Sequence, residues 1–266
     1  MPFATNNGVR IHWQEEGEGT PVLLIMGHKY SSAMWWPVLP ALTAKHRVVW
    51  FDNRGTGKSD APKTASVAEM VADTITVMDA AGLDSAHVWG VSMGGGIAQQ
   101  LAVKHPERVR GLILGCTAIK TEVTTAHPIL MSILARLPLG AVRVLGGKRS
   151  LGNTPPDIAA KDYAMQKKDE FSPSGVVAQH VGIAGFSMTL EDAAGITAPT
   201  FVQHGTADPL VPYDAGVRIA ETVPGARLST FEGAAHNYLL SDIGRAGREA
   251  LEFFAEVDSA RATTSA

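Results

Sequence analysis

Hydrophobic and polar positions change their period several times along this chain. Val9, Ile11 and Trp13 alternate with polar neighbours through VRIHWQEE, which predicts a strand with one wet face; the preceding Asn7-Gly8 is a dipeptide favoured in two-residue type I′ hairpins. VLLIM, at 22–26, is apolar without alternation, as a strand covered on both faces would be. The chain therefore opens antiparallel and turns parallel. Strand and helix periods then take turns: a helix near 33–44, the strand HRVVWFD, a helix over 67–83, the strand AHVWGV, a helix over 93–105 and the strand VRGLILG. From about 120 to 196 the rhythm stops, and it resumes with PTFVQHG, the helix VRIAETV, the strand ARLSTFEG and a last helix GREALEFFAEV. Such repetition implies right-handed crossovers and a mostly parallel twisted sheet with helices on both faces. Because the same pattern flanks the interruption, residues 120–196 read as a helical lid inserted into a core domain made of 1–119 and 197–266. The closing DSARATTSA is small and polar and reads as a frayed end.

Composition narrows the partners. With 266 residues, 45% of them hydrophobic, the chain can bury one sizeable core. A net charge of −3 with acids and bases interspersed offers no basic face for nucleic acid or anionic lipid, so a small-molecule substrate is expected. The single cysteine, Cys116, excludes a disulfide within the chain, and MPFATNNGVRIHW has neither a basic n-region nor an apolar h-region. A cytoplasmic location is the expectation. The apolar stretch ILMSILARLPLGAVRVL is broken by Arg136, Pro138, Gly140 and Arg143 and makes a poor membrane span.

Gly90-Val91-Ser92-Met93-Gly94 matches G-x-S-x-G at the end of a predicted strand and the start of a predicted helix. A serine there is held in strained backbone, the flanking glycines relieve clashes, and the helix start offers the Met93 N–H to a developing oxyanion. A hydroxyl needs a base, and the base needs an orienting acid. HGTADPLVP supplies Asp208 just past one strand and FEGAAHN supplies His236 just past another, so all three emerge at the carboxyl edge of a parallel sheet. The order Ser92, Asp208, His236 suits a nucleophile, acid and base.

These three loops, together with Asp52-Asn53-Arg54-Gly55-Thr56-Gly57-Lys58-Ser59 and the opening NGVRIHWQEEGEG, resemble the α/β-hydrolase superfamily. The nearest likeness is to the 3-oxoadipate enol-lactonases and cofactor-free haloperoxidase-like serine esterases. It covers about 5–119 and 197–255 and implies the α/β-hydrolase fold, a Ser-His-Asp site, no metal and no cofactor. Where many relatives read His-Gly-x after the third strand, this chain reads Met26-Gly27-His28, so the second oxyanion donor falls on the His28 main chain. The expected activity is hydrolysis of a small carboxylic ester or lactone. Carbon–carbon bond hydrolysis, perhydrolysis, or a slow-turnover ligand sensor on the same scaffold stay open.

Other residues carry competing readings. Gly57-Lys58-Ser59 ends like a phosphate loop, but that motif needs glycine where Asp52 stands, so a structural turn with Arg54 as its brace is expected. The remaining histidines show no metal-ligand spacing. Leu130, Met131 and Leu134 form a stripe at helical spacing that could line an acyl pocket or simply pack on the core. Trp35 is a core candidate that could also border the pocket.

Overall fold

Asn7 and Gly8 turn the chain in the left-handed region, with φ of 49° and 82°, and fold strand β1 (Phe3–Asn6) antiparallel onto β2 (Val9–Glu16). In the computed structural model, which describes residues 2–119, 151–170 and 172–264, this hairpin edges an eight-stranded sheet. The strands β3 (Pro21–Ile25), β4 (Arg47–Phe51), β5 (Ala86–Val91), β6 (Val109–Gly115), β7 (Thr200–Gly205) and β8 (Arg227–Phe231) are mutually parallel, while β2 meets β4 antiparallel. The order β1-β2-β4-β3-β5-β6-β7-β8 puts the topological switch between β3 and β5, where open α/β sheets form a ligand crevice.

Both sheet faces are covered, which explains the unbroken apolar strands. Leu23, Ile25, Val88 and Leu112 join one core cluster, whereas their neighbours Val22, Leu24, Trp89 and Ile113 join another. Against the first pack α2 (Val67–Ala80), started by a Ser66–Glu69 capping box, and α3 (Met93–Lys104); against the second packs α8 (Arg245–Thr264) through Phe253 and Phe254. Strands β6 and β7 pair directly, Leu112 opposite Thr200, across the long interruption. The described part of that interruption holds α4 (Pro156–Gln166), α5 (Pro173–Ala184) and α6 (Leu190–Ala194); α7 (Tyr213–Thr222) follows β7. Among the described residues no helix is long and apolar enough to cross a membrane.

Two expectations are corrected. The helix over 33–44 is a 3-10 turn, Ser32–Trp35, and a short α1, Leu39–Thr43, because Pro37 and Pro40 lack the N–H groups a continuous helix would use. Residues 258–264 of the closing segment are helical: α8 runs through Thr264, and Asp258 on it accepts hydrogen bonds from Arg110 (2.9 Å) and His87 (3.1 Å), while the last two residues lie outside the described ones.

The loop after β4 folds around its own side chains. Asp52 accepts from the Lys58 N–H (3.0 Å), the Ser32 N–H (2.9 Å) and hydroxyl (2.7 Å), and His12 Nδ1 (3.0 Å), so a carboxylate occupies the centre of the phosphate-loop look-alike. Arg54, 3% exposed, pairs bidentately with buried Asp73 (2.6 and 2.8 Å) and reaches Glu69 (2.9 Å), which makes it the brace. Arg54→Leu strands the Asp73 charge with only the Asn6 amide, at 2.8 Å, still donating to it. It should therefore cost about 3–5 kcal/mol and lower the thermal midpoint by roughly 10 °C. A midpoint within about 2 °C of the wild-type value would contradict this assignment.

Candidate active site

Ser92 closes β5 and caps α3 with φ 54° and ψ −120°, a conformation few non-glycine residues adopt. Its surroundings hold it there. The Ser92 N–H donates to the Gly115 carbonyl (2.8 Å), and its own carbonyl accepts from the Gly95 N–H (2.9 Å) and the Thr117 hydroxyl (2.8 Å). A Cβ at Gly94 would collide with the Ile25 carbonyl and one at Gly90 with the Gly94 carbonyl, so the elbow depends on bare backbone at both positions. Gly96 differs: a Cβ there would meet only the Phe186 ring at ordinary contact distance.

His236, five residues past β8, faces this serine with Nε2 3.0 Å from Oγ, and its Nδ1 lies 2.7 Å from Asp208 Oδ2. Because an ionised carboxylate only accepts, Nδ1 carries the proton and Nε2 is left to accept from the Ser92 hydroxyl. Asp208, three residues past β7, uses its other oxygen to accept from the N–H groups of Leu210 (2.8 Å) and Val211 (3.0 Å). Burial alone would raise its carboxyl, but hydrogen bonds from His204, His236 and Val211 outweigh that and hold it well below the usual carboxylate range. The Asp208 side chain is fully buried, while His236 keeps 21% exposure, leaving the serine–histidine end open toward the crevice.

At the end of β3, Gly27 passes against Ser92: a Cβ there would lie 3.2 Å from Ser92 Cβ and 3.7 Å from Oγ. The His28 ring turns away from this contact and donates from Nε2 to the Val176 carbonyl of α5 (2.9 Å). Burial beneath α5 lowers its pKa to about 4, so the ring is neutral near pH 7. Met93, the first residue of α3, has an N–H without an intrahelical acceptor. Trp35 is fully buried and stacks edge-on with Trp89 at 5.4 Å in the core; its neighbour Trp36 meets the inserted segment instead, donating to Asp162 (3.3 Å). Leu130, Met131 and Leu134 lie outside the described residues.

The family model of the alpha/beta hydrolase fold matches residues 20–145. Over 253 residues the chain is 31% identical to a protein of Azorhizobium caulinodans named "Putative carbamate hydrolase RutD", covering 90% of this chain and 92% of that one. This chain belongs to the α/β-hydrolase family. This α/β hydrolase is also 29% identical over 272 residues to the 2-hydroxymuconate semialdehyde hydrolase of Pseudomonas putida, covering 95% and 93% of the two chains. The enol-lactonase structure from Burkholderia xenovorans LB400 superposes with a TM-score of 0.82 over 96% of this chain and 100% of that one; at 24% identity it shows the shared fold alone.

Three residues of this α/β hydrolase escaped the sequence reading. His204, fully buried on β7, donates from Nε2 to the Val211 carbonyl (3.0 Å) and lies 3.4 Å from Asp208 Oδ2. Thr117 holds the Ser92 carbonyl, and Gln179 of α5 touches the loop after β3. His204 sits next to the Gly-Thr-Ala-Asp loop, which is the one signal that could have flagged it; for Thr117 and Gln179 nothing local distinguishes the residue.

Proposed function

We propose that this α/β hydrolase cleaves a small carboxylic ester or lactone through an acyl-enzyme on Ser92. The observation that carries the reading is the unbroken line from Ser92 Oγ to His236 Nε2 (3.0 Å) and from His236 Nδ1 to Asp208 (2.7 Å). His236 takes the hydroxyl proton as Ser92 attacks the carbonyl carbon, Asp208 steadies the imidazolium, and the main-chain N–H groups of Met93 and His28 receive the oxyanion. Collapse of the tetrahedral intermediate expels the alcohol, which takes the proton from His236; water then enters by the same route and releases the acid. The described part of the inserted segment, 151–170 and 172–196, acts as a lid beside this crevice, a role supported by the bond between α5 and the His28 ring. Carbon–carbon hydrolysis is the second reading, favoured by the likeness to 2-hydroxymuconate semialdehyde hydrolase.

The test is a panel of aryl esters, aliphatic esters, lactones, carbamates and a 2-hydroxymuconate semialdehyde, assayed with wild type and Ser92→Ala. Ester or lactone turnover of several per second that vanishes in the variant supports the first reading. Fast cleavage of the semialdehyde with slow esters transfers the assignment to the second, and equal rates in wild type and variant reject both.

The His28 geometry gives a separate expectation. With its ring engaged by α5, His28→Ala should lower kcat by less than roughly tenfold, since the N–H donor remains. A loss near a hundredfold at unchanged KM would make the imidazole itself the donor.

A further inference from the structure

The loop that carries the proposed His28 donor is held in an unusual shape. Lys29 has φ 78°, in the left-handed region that a long side chain seldom occupies, so something outside the loop must stabilise it. The Lys29 N–H donates to Gln179 Oε1 at 3.0 Å. At its other end Gln179 donates from Nε2 to the Arg54 carbonyl at 2.8 Å, and the residue is fully buried. One amide side chain on α5 therefore links the loop after β3 to the loop after β4, and both of its ends are used.

The neighbouring contacts make α5 a rigid platform for that link. Gly175 and Gly55 approach so closely that a Cβ on either would strike the other's backbone, and the Gly57 N–H donates to the Glu170 carbonyl at 2.7 Å. The His28 ring is tied to the same helix through Val176. The Lys29 N–H lies in the His28–Lys29 peptide plane, which Gln179 fixes, and the plane that carries the His28 N–H is joined to it through the two backbone torsions of His28.

We propose that Gln179 is a positioning residue of the oxyanion site: by holding Lys29 in its left-handed conformation from the inserted segment, it aims the His28 N–H at the oxygen that becomes negative during acyl transfer. This rests on the serine-hydrolase reading above. A donor contributes fully only when it lies about 3 Å from the oxyanion, and a misplacement near 1 Å costs about a hundredfold. Gln179 touches no substrate atom in this scheme, so ground-state binding should be unaffected.

Gln179→Met keeps the volume and removes both hydrogen bonds. On the best wild-type ester, kcat should fall about 30-fold with KM within threefold, and the inhibition constant of phenylboronic acid, whose tetrahedral adduct on Ser92 places an oxygen in the oxyanion site, should rise by a similar factor. Thr200→Val removes a buried hydroxyl bond to Ala198 (2.9 Å) at the opposite edge of the sheet and serves as the control for general destabilisation; its kcat and inhibition should match wild type. Gln179→Ala and Gln179→Asn are measured alongside. Folded Gln179 variants with wild-type kcat, or with raised KM and unchanged boronate inhibition, overturn the proposal, and so does failure of all three to fold, which would make Gln179 a folding residue. Absence of Ser92-dependent turnover in wild type would instead reject the underlying function.

Discussion

Asp208→Asn should lower kcat about 10⁴-fold while the protein stays folded. The reason lies in which oxygen faces which donor. Asp208 Oδ1 accepts two backbone N–H groups, from Leu210 and Val211, so an asparagine would turn its carbonyl to them and its NH₂ toward His236. The imidazole would then accept at Nδ1 and carry its proton on Nε2, where it cannot take one from Ser92. The pH dependence follows with a definite sign. Asp208 has its pKa depressed by folding, so its contribution to stability is present above the unfolded value of about 3.9 and is lost only as pH falls through the lower folded value. Asp208 is therefore already ionised throughout the neutral and mildly acidic range. Turnover of the Asn variant within tenfold of wild type would contradict the role given to the Asp208–His236 pair.

Ser92→Ala carries the larger effect, about 10⁶-fold in kcat, with a residual rate roughly 10³-fold or more above the uncatalysed reaction from the oxyanion donors and binding alone. Stability should change little, since alanine keeps the Cβ in the same backbone geometry and loses a hydroxyl that is only partly buried. The Ser92→Ala/Asp208→Asn double variant should be no slower than Ser92→Ala, because the groups act as one unit and the losses do not multiply. A double variant slower by a further 10³-fold would mean that Asp208 acts independently of the serine.

What the sequence disclosed and what it hid divide along physical lines. The Asn7-Gly8 hairpin, the buried strands and the elbow around Ser92 were legible because each is fixed by residues close together in the chain: φ above zero at Asn7 and Gly8, two-sided burial of Leu23 and Val22, and absent Cβ atoms at Gly90 and Gly94. Asp208 and His236 were legible because the strands that end before them are well marked. The helix over 33–44 was misread because its hydrophobic period ran across two prolines whose cost depends on the local turn. Trp35 could not be assigned from its type, since a tryptophan beside a loop suits a pocket wall and a core equally; the packing against Trp89 decides for the core. His204 and Gln179 were hidden more deeply. Their partners lie across tertiary contacts, and Gln179 meets the Lys29 N–H from 150 positions away.

Ser92 as the nucleophile is tested most directly by labelling the wild-type protein with a fluorophosphonate and locating the adduct by peptide mass spectrometry. A single adduct on Ser92 is expected, formed in step with loss of esterase activity and much more slowly in Asp208→Asn. An adduct on another residue, or esterase activity that survives complete labelling of Ser92, would contradict it.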